Sequence, residues 1–192
     1  MIEGLTSGDF FSWKVDPWTG FCIDGTDCEG LKMFAIDPAT IRTGWGKIQR
    51  GAAPEWTWDE DKPNPSPGPD WKRGFEVQVY VTEKGGACIT GWKPWSSNQA
   101  SALAAMNNLF NTQGIHDKFK ENSGKIAQIR YDGSQPGNKT KIPILTFVKW
   151  VNQPNGLNGS GAPAPSPTPP PEPIKQSIPP TAPVAETDDD LF

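Results

Sequence analysis

Among 192 residues the chain carries nine tryptophans, several times the ordinary share, and cations are interleaved with them. Trp45, Trp56, Trp58, Trp71, Trp92 and Trp95 fall where turn formers and strand ends are dense, and Arg50, Lys72, Arg73, Lys93, Lys139 and Lys141 lie among them. Indole rings beside cations suit one task well. Each ring offers a face to another flat ring, at about 1–3 kcal/mol per stacked nucleobase, while Lys and Arg meet phosphates. Tyr80, on the polar side of an alternating run, joins this set. Against each ring stands an interior role, since a tryptophan in a small β domain is often a core or lid residue.

Covalent chemistry is poorly provided for. His116 is the only histidine, no Gly-rich phosphate loop occurs, and a carboxylate pair such as Asp59 and Glu76 is expected by chance among 22 acids. Cys22, Cys28 and Cys88 are odd in number and lack CxxC spacing, so neither a disulfide framework nor a zinc site is expected, and they read as small residues in or near a core. The expectation is a binding protein without catalysis, cofactor or metal.

The elements that would position these rings are mostly strands. With 21 prolines and 20 glycines the chain has about twice the average share of turn formers and cannot be mainly helical. Residues 75–82 alternate strictly, with Phe75, Val77, Val79 and Val81 on one face and Glu76, Gln78, Tyr80 and Thr82 on the other. Lys84-Gly85-Gly86 turns this strand into a second over residues 87–92. One helix follows, opened by a capping box at Ser96-Ser97-Asn98-Gln99, with Ala100, Leu103, Met106 and Phe110 as its stripe and Gly114 as its end. Strands are expected at 125–131 and 142–151, joined by a turn-rich loop over 132–141. An earlier strand is expected within 41–49, and one or two edge strands within 1–30. Strand, long loop, strand, strand, helix, strand, strand is the element order of an OB-fold, so the expected class is mainly β with one helix, a five-stranded OB-like barrel. In such barrels the second and third strands and two flanking loops, here 49–74 and 132–141, form the usual oligonucleotide groove. The first of these loops also carries Glu55, Asp59, Glu60, Asp61 and Asp70, which leaves Trp71-Lys72-Arg73 as its best phosphate-binding stretch.

After Val151 the periodic sequence stops. Residues 152–185 are a Pro/Gly-rich linker too poor in apolar side chains to fold, and 186–192 an acidic tip, so a disordered tail follows a domain at 1–151. Five acids against Lys175 give this tail the whole formal charge of −4. Within the domain, residues 1–70 carry 6 basic and 12 acidic side chains and residues 71–151 carry 11 and 5, so the second part is the electropositive one.

The tip, Glu186-Thr187-Asp188-Asp189-Asp190-Leu191-Phe192, resembles the acidic C-terminal end of bacterial and phage single-stranded DNA-binding proteins, which closes on Phe. The resemblance implies an OB-type domain that protects single-stranded DNA in replication, recombination and repair. It also implies a tip that recruits replication or repair enzymes through Asp188, Asp189, Asp190, Leu191 and Phe192. The tip lacks the proline usual before Phe, and the domain is longer and richer in Trp, which points to a divergent, phage-encoded relative. No apolar run approaches the ~18 residues of a membrane span, and Met1-Ile2-Glu3-Gly4-Leu5 lacks the basic and apolar regions of a secretory signal. The expected place is therefore the cytoplasm, that of the bacterial host for a phage protein, with no membrane partner. The chief alternative is a carbohydrate-binding module, because Trp-rich β domains with Pro-rich linkers also stack on sugar rings.

Overall fold

The computed structural model describes residues 10–15, 19–49, 53–138 and 140–154. Arg50, Lys139, the linker beyond Pro154 and the tip residues Asp188, Asp189, Asp190, Leu191 and Phe192 lie outside the described residues.

A small antiparallel sheet comes first, from β1 (Phe11–Lys14), β2 (Gly20–Ile23) and β3 (Thr26–Asp27). Asp24 and Gly25, between β2 and β3, have φ of 51° and 77°. A two-residue turn with both φ positive matches the twist of the strands it joins, and Asp-Gly tolerates it.

The larger sheet grows from the alternating run. In β6 (Lys72–Val81) the four apolar residues from Phe75 to Val81 are buried, while Glu76, Gln78 and Tyr80 face the other way. β4 (Met33–Lys47) pairs with β6 along one side. On the other it pairs first with β8 (Lys125–Gly137), through Met33 to Ile36, and then with β5 (Glu55–Trp58), through Gly44 to Lys47. The β4–β6 register shifts between Asp37 and Arg42, where Pro38 has no N–H to give a ladder. β7 (Gly91–Ser97) and β9 (Thr140–Asn152) flank these, in the order β7-β6-β4-β8-β9, with every pair antiparallel.

Among the described residues no pairing joins β7 to β9, so the sheet is open and the expected barrel is not closed. Other groups occupy β9 instead. The Gln113 amide donates to the Leu145 carbonyl and accepts from the Phe147 N–H, both at 2.7 Å, and Trp13 Nε1 donates to the Lys141 carbonyl at 3.1 Å. Covering an edge in this way satisfies backbone groups that a neighbouring strand would otherwise take.

The core lies between the two sheets and the helices. Phe11 and Phe21 meet Phe34 and Trp95, Phe75 meets Trp95, and Phe21 and Trp95 stand edge to face at 5.4 Å. There are two helices rather than one: α1 (Ala100–Asn107), prolonged by a wider turn over Asn108–Thr112, and α2 (Ile115–Phe119). Gly114, with φ of 72°, separates them. The buried stripe is Ala102, Ala105, Met106, Leu109 and Phe110, so Met106 and Phe110 fall where expected whereas Ala100 is exposed. Ser96 and Ser97 form no capping box. Both belong to β7, and the Ser97 hydroxyl accepts from the Gln99 N–H instead.

Two further expectations change. The presumed loop over 132–141 is mostly strand, because β8 and β9 continue pairing as far as Gly137 and Thr140, and cross-strand hydrogen bonds outweigh local turn preference. The cysteines are not all free: Cys28 and Cys88 form a disulfide across 60 residues, with Cα atoms 5.9 Å apart. The segments that carry them meet closely, since Lys32 N–H donates to the Gly85 carbonyl at 2.7 Å and a Cβ on Gly86 would lie 1.8 Å from the Gly30 carbonyl oxygen. The second strand of the β6–β7 hairpin begins at Gly91, three residues after Cys88, rather than at residue 87.

Candidate nucleic-acid interface

Residues paired directly across antiparallel strands point to the same face of a sheet. The face of the large sheet opposite the core can therefore be read in rows. The first row is Trp92, Tyr80, Ala35, Gln128 and Lys149, one residue from each of five strands. Pro94, Gln78 and Asp37 form the next and Ser96, Glu76 and Arg42 the one after, and Trp58 with Gly44 and Gly74, then Trp56 with Gly46 and Lys72, complete it.

Two aromatic pairs mark the ends of this face. Tyr80 and Trp92 lie 5.1 Å apart, ring to ring. Trp56 and Trp58 are stacked at 4.7 Å with their planes 5° apart, and the Arg42 guanidinium lies 4.1 Å from the Trp58 ring. Six residues of β6 separate the level of Tyr80 from that of Gly74, a span of about 20 Å. The indole pair rests on a floor of glycine: a Cβ on Gly46 or Gly74 would come within 2.5 or 2.6 Å of the Trp56 ring, and one on Gly44 within 3.0 Å of the Trp58 ring. Sequence reading missed these three glycines, although Gly44 and Gly46 show the period of two that places them on one face.

Between the pairs, charge is largely balanced. Arg42 donates twice to Glu76 Oε1, at 3.0 and 2.5 Å, and the Ser96 hydroxyl donates to Oε2 at 2.5 Å. Asp37 is buried on this side, and that burial pushes its carboxyl upward against the opposing effect of the Ala39 N–H. Lys72, Lys149 and, beside Tyr80, Lys84 are cations here with no ion pair among the described residues, and of these only Lys72 was singled out from sequence. Arg130, one level from Gln128, is paired with Asp132 at 2.7 Å.

The remaining candidates separate. Trp95 is fully buried, because it pairs with Val77 and shares that residue's core face, so its ring has no surface to offer. Lys93, on the same side of β7, is buried and bonded to Asp24 at 2.8 Å rather than open to phosphate. Trp45 and Arg73 lie opposite each other across β4 and β6, on the other face from Trp56 and Trp58. There Trp45 Nε1 donates to the Asn64 carbonyl, and Arg73 grips Asp59 with two hydrogen bonds, at 2.9 and 2.5 Å. Trp71 is half-buried beside Gly68 at the entrance to β6. Lys141 is exposed, but it pairs with Pro136, eight residues along β8 from Gln128. The structure thus brings together Trp56, Trp58, Lys72, Tyr80 and Trp92, and does not join Trp45, Arg73, Lys93, Trp95 or Lys141 to them.

A depression of about 740 Å³ lies between the small sheet and the start of α1 and is lined in part by Cys22. The Cys22 thiol donates to Asp27, and burial with that bond pushes its pKa up to about 11, which leaves it a poor nucleophile at neutral pH. Among the described residues no group of His, Cys, Asp or Glu converges as a metal site, and no helix is long and apolar enough to cross a membrane. No family model, curated protein or solved structure matches the chain.

Proposed function

We propose that the chain is a single-stranded DNA-binding protein whose unpaired bases stack along the outer face of the large sheet. The observation that carries this reading is the placement of two aromatic pairs, Trp56 with Trp58 and Tyr80 with Trp92, on one face about 20 Å apart, with Lys72 and Lys84 beside them and Lys149 farther across the same face. A rigid sheet holding rings at fixed spacing, with cations for the backbone, meets the demands of sequence-tolerant single-strand binding. The order of pairing supports an opened OB arrangement, with β4, β6, β7, β8 and β9 as its five strands and α1 between the third and fourth. In this reading the acidic tip recruits replication or repair enzymes while the domain holds DNA.

One observation favours a second reading. A disulfide between Cys28 and Cys88 suits an oxidising compartment, where a Trp-bearing sheet can serve as a carbohydrate-binding module. Intrinsic Trp fluorescence titrated with oligo(dT) and with a soluble glucan at low salt separates the two. Quenching by oligo(dT), with a gel shift of single strands in preference to duplex of equal length, supports the first reading, and quenching by glucan alone replaces it with the second.

A further inference from the structure

The row Trp92, Tyr80, Ala35, Gln128, Lys149 has a gap at its centre. Ala35 contributes only a methyl group, while its neighbours on β6 and β8 are a tyrosine and a glutamine, so a small side chain lies between two tall ones. A depression of about 320 Å³ opens there. Its lining includes the apolar side chains of Met33, Ala35, Ile126 and Val151, and Ala35 and Ile126 are almost wholly buried. Tyr80 is one side of it, and Lys84 lines it too. The side-chain amide of Gln128, on the same face as Ala35 and Tyr80, also lines it and has no hydrogen-bond partner among the described residues.

An aromatic wall, an apolar floor and an amide with an unused donor and acceptor form a combination that backbone binding does not require. A flat heterocycle uses all three. We propose that this slot over Ala35 takes one nucleobase of the bound strand and that Gln128 reads it, with adenine the best match; the inference rests on the single-strand reading above. A carboxamide places a donor beside an acceptor, and adenine answers with its exocyclic amine and an adjacent ring nitrogen. The amine donates to the Gln128 carbonyl oxygen, and the Gln128 amide N–H donates to the ring nitrogen. A purine also lays more ring area on Tyr80 than a pyrimidine does. The outer face then carries a sequence-tolerant part at the Trp56–Trp58 pair and one selective position at the other end.

The test uses the full chain and two fluorescently labelled strands, dT12 and a dT12 in which every third base is adenine, followed by anisotropy at low salt. The parent protein is expected to bind the adenine-bearing strand at least threefold more tightly. Gln128→Leu abolishes that difference, so that the two strands bind alike. Ala35→Leu, which fills the slot, weakens both strands about tenfold with an unchanged thermal melt. If Ala35→Leu does not fold, Gln128→Leu decides alone. Equal binding of the two strands by the parent, or a preference that survives Gln128→Leu, overturns the slot and leaves single-strand binding standing. Failure of the parent to bind either strand removes the single-strand reading and the slot with it.

Discussion

At Asp59 one carboxylate ties together a strand, its neighbour and a loop. It receives two hydrogen bonds from Arg73 on β6, one from the Thr43 hydroxyl on β4 and one from the Asn64 N–H, and it is almost wholly buried. The Arg73 hydrogen bonds, reinforced by those of Thr43 and Asn64, hold its pKa far below the usual carboxylate range. A depressed folded-state pKa contributes stability that is fully present above the unfolded value near 4 and is lost as pH falls toward the folded one. Asp59→Asn should therefore lower stability at pH 7 by about 1–2 kcal/mol, a small figure because Arg73 is partly solvated, and should flatten the loss of stability between about pH 4 and 2. Chemical denaturation across that range checks both. The sequence offered Arg73 to phosphate because its partner, Asp59, is 14 residues away. Lys93 misleads for the same reason. A lysine on the core side of β7 blurs the alternation that would have marked Trp95 as interior, and its partner Asp24 is supplied from a hairpin 69 residues away. Local pattern holds no record of such long-range pairs.

The elements were legible to the extent that they are periodic. β6 could be read residue by residue because one side is core and the other is not, whereas β4 is interrupted by Pro38 and shares one of its sides between β5 and β8. β5 itself, four residues inside a presumed loop, is held by pairing with β4 and by two indoles lying over glycine. That arrangement makes a prediction. Gly46→Ala places a methyl group where the Trp56 ring now lies, so the Trp56–Trp58 stack should separate and its exciton-coupled circular dichroism disappear, as it should in Trp56→Phe. A spectrum that is unchanged in both variants would show that the stacked pair does not persist in solution. The Cys28–Cys88 bridge acts on the loops rather than the strands. Closing a 60-residue loop stabilises a chain by about 4 kcal/mol through the entropy of its unfolded state. Urea unfolding with and without a dithiol reductant should show a difference in unfolding free energy of that order, and Cys88→Ser should reproduce it without reductant.

Over the whole molecule, charge decides how a polyanion approaches. The domain is neutral in sum but unequal in distribution, and the tail carries the net −4. Removing residues 186–192 should leave oligo(dT) affinity unchanged or higher, since a competing polyanion is lost, while capture of replication or repair proteins ceases; a marked loss of affinity would contradict that division of labour. The salt dependence of binding is more exacting, because it counts contacts. If phosphates were met by all of the electropositive residues after Trp71, the slope of log K against log[salt] would be steep. On the outer face, however, Arg42 and Arg130 are already paired, and among the described residues the cations without an ion pair there are Lys72, Lys84 and Lys149. Three phosphates neutralised at about 0.7 each give a slope near −2 for a single strand. Changing any one of these lysines to alanine should reduce the slope by about 0.7. Arg73→Lys, on the opposite face, should leave it unaltered. A slope much steeper than −2 would mean that the strand leaves this face and follows other cations, and a slope of zero would mean that the ligand is neutral.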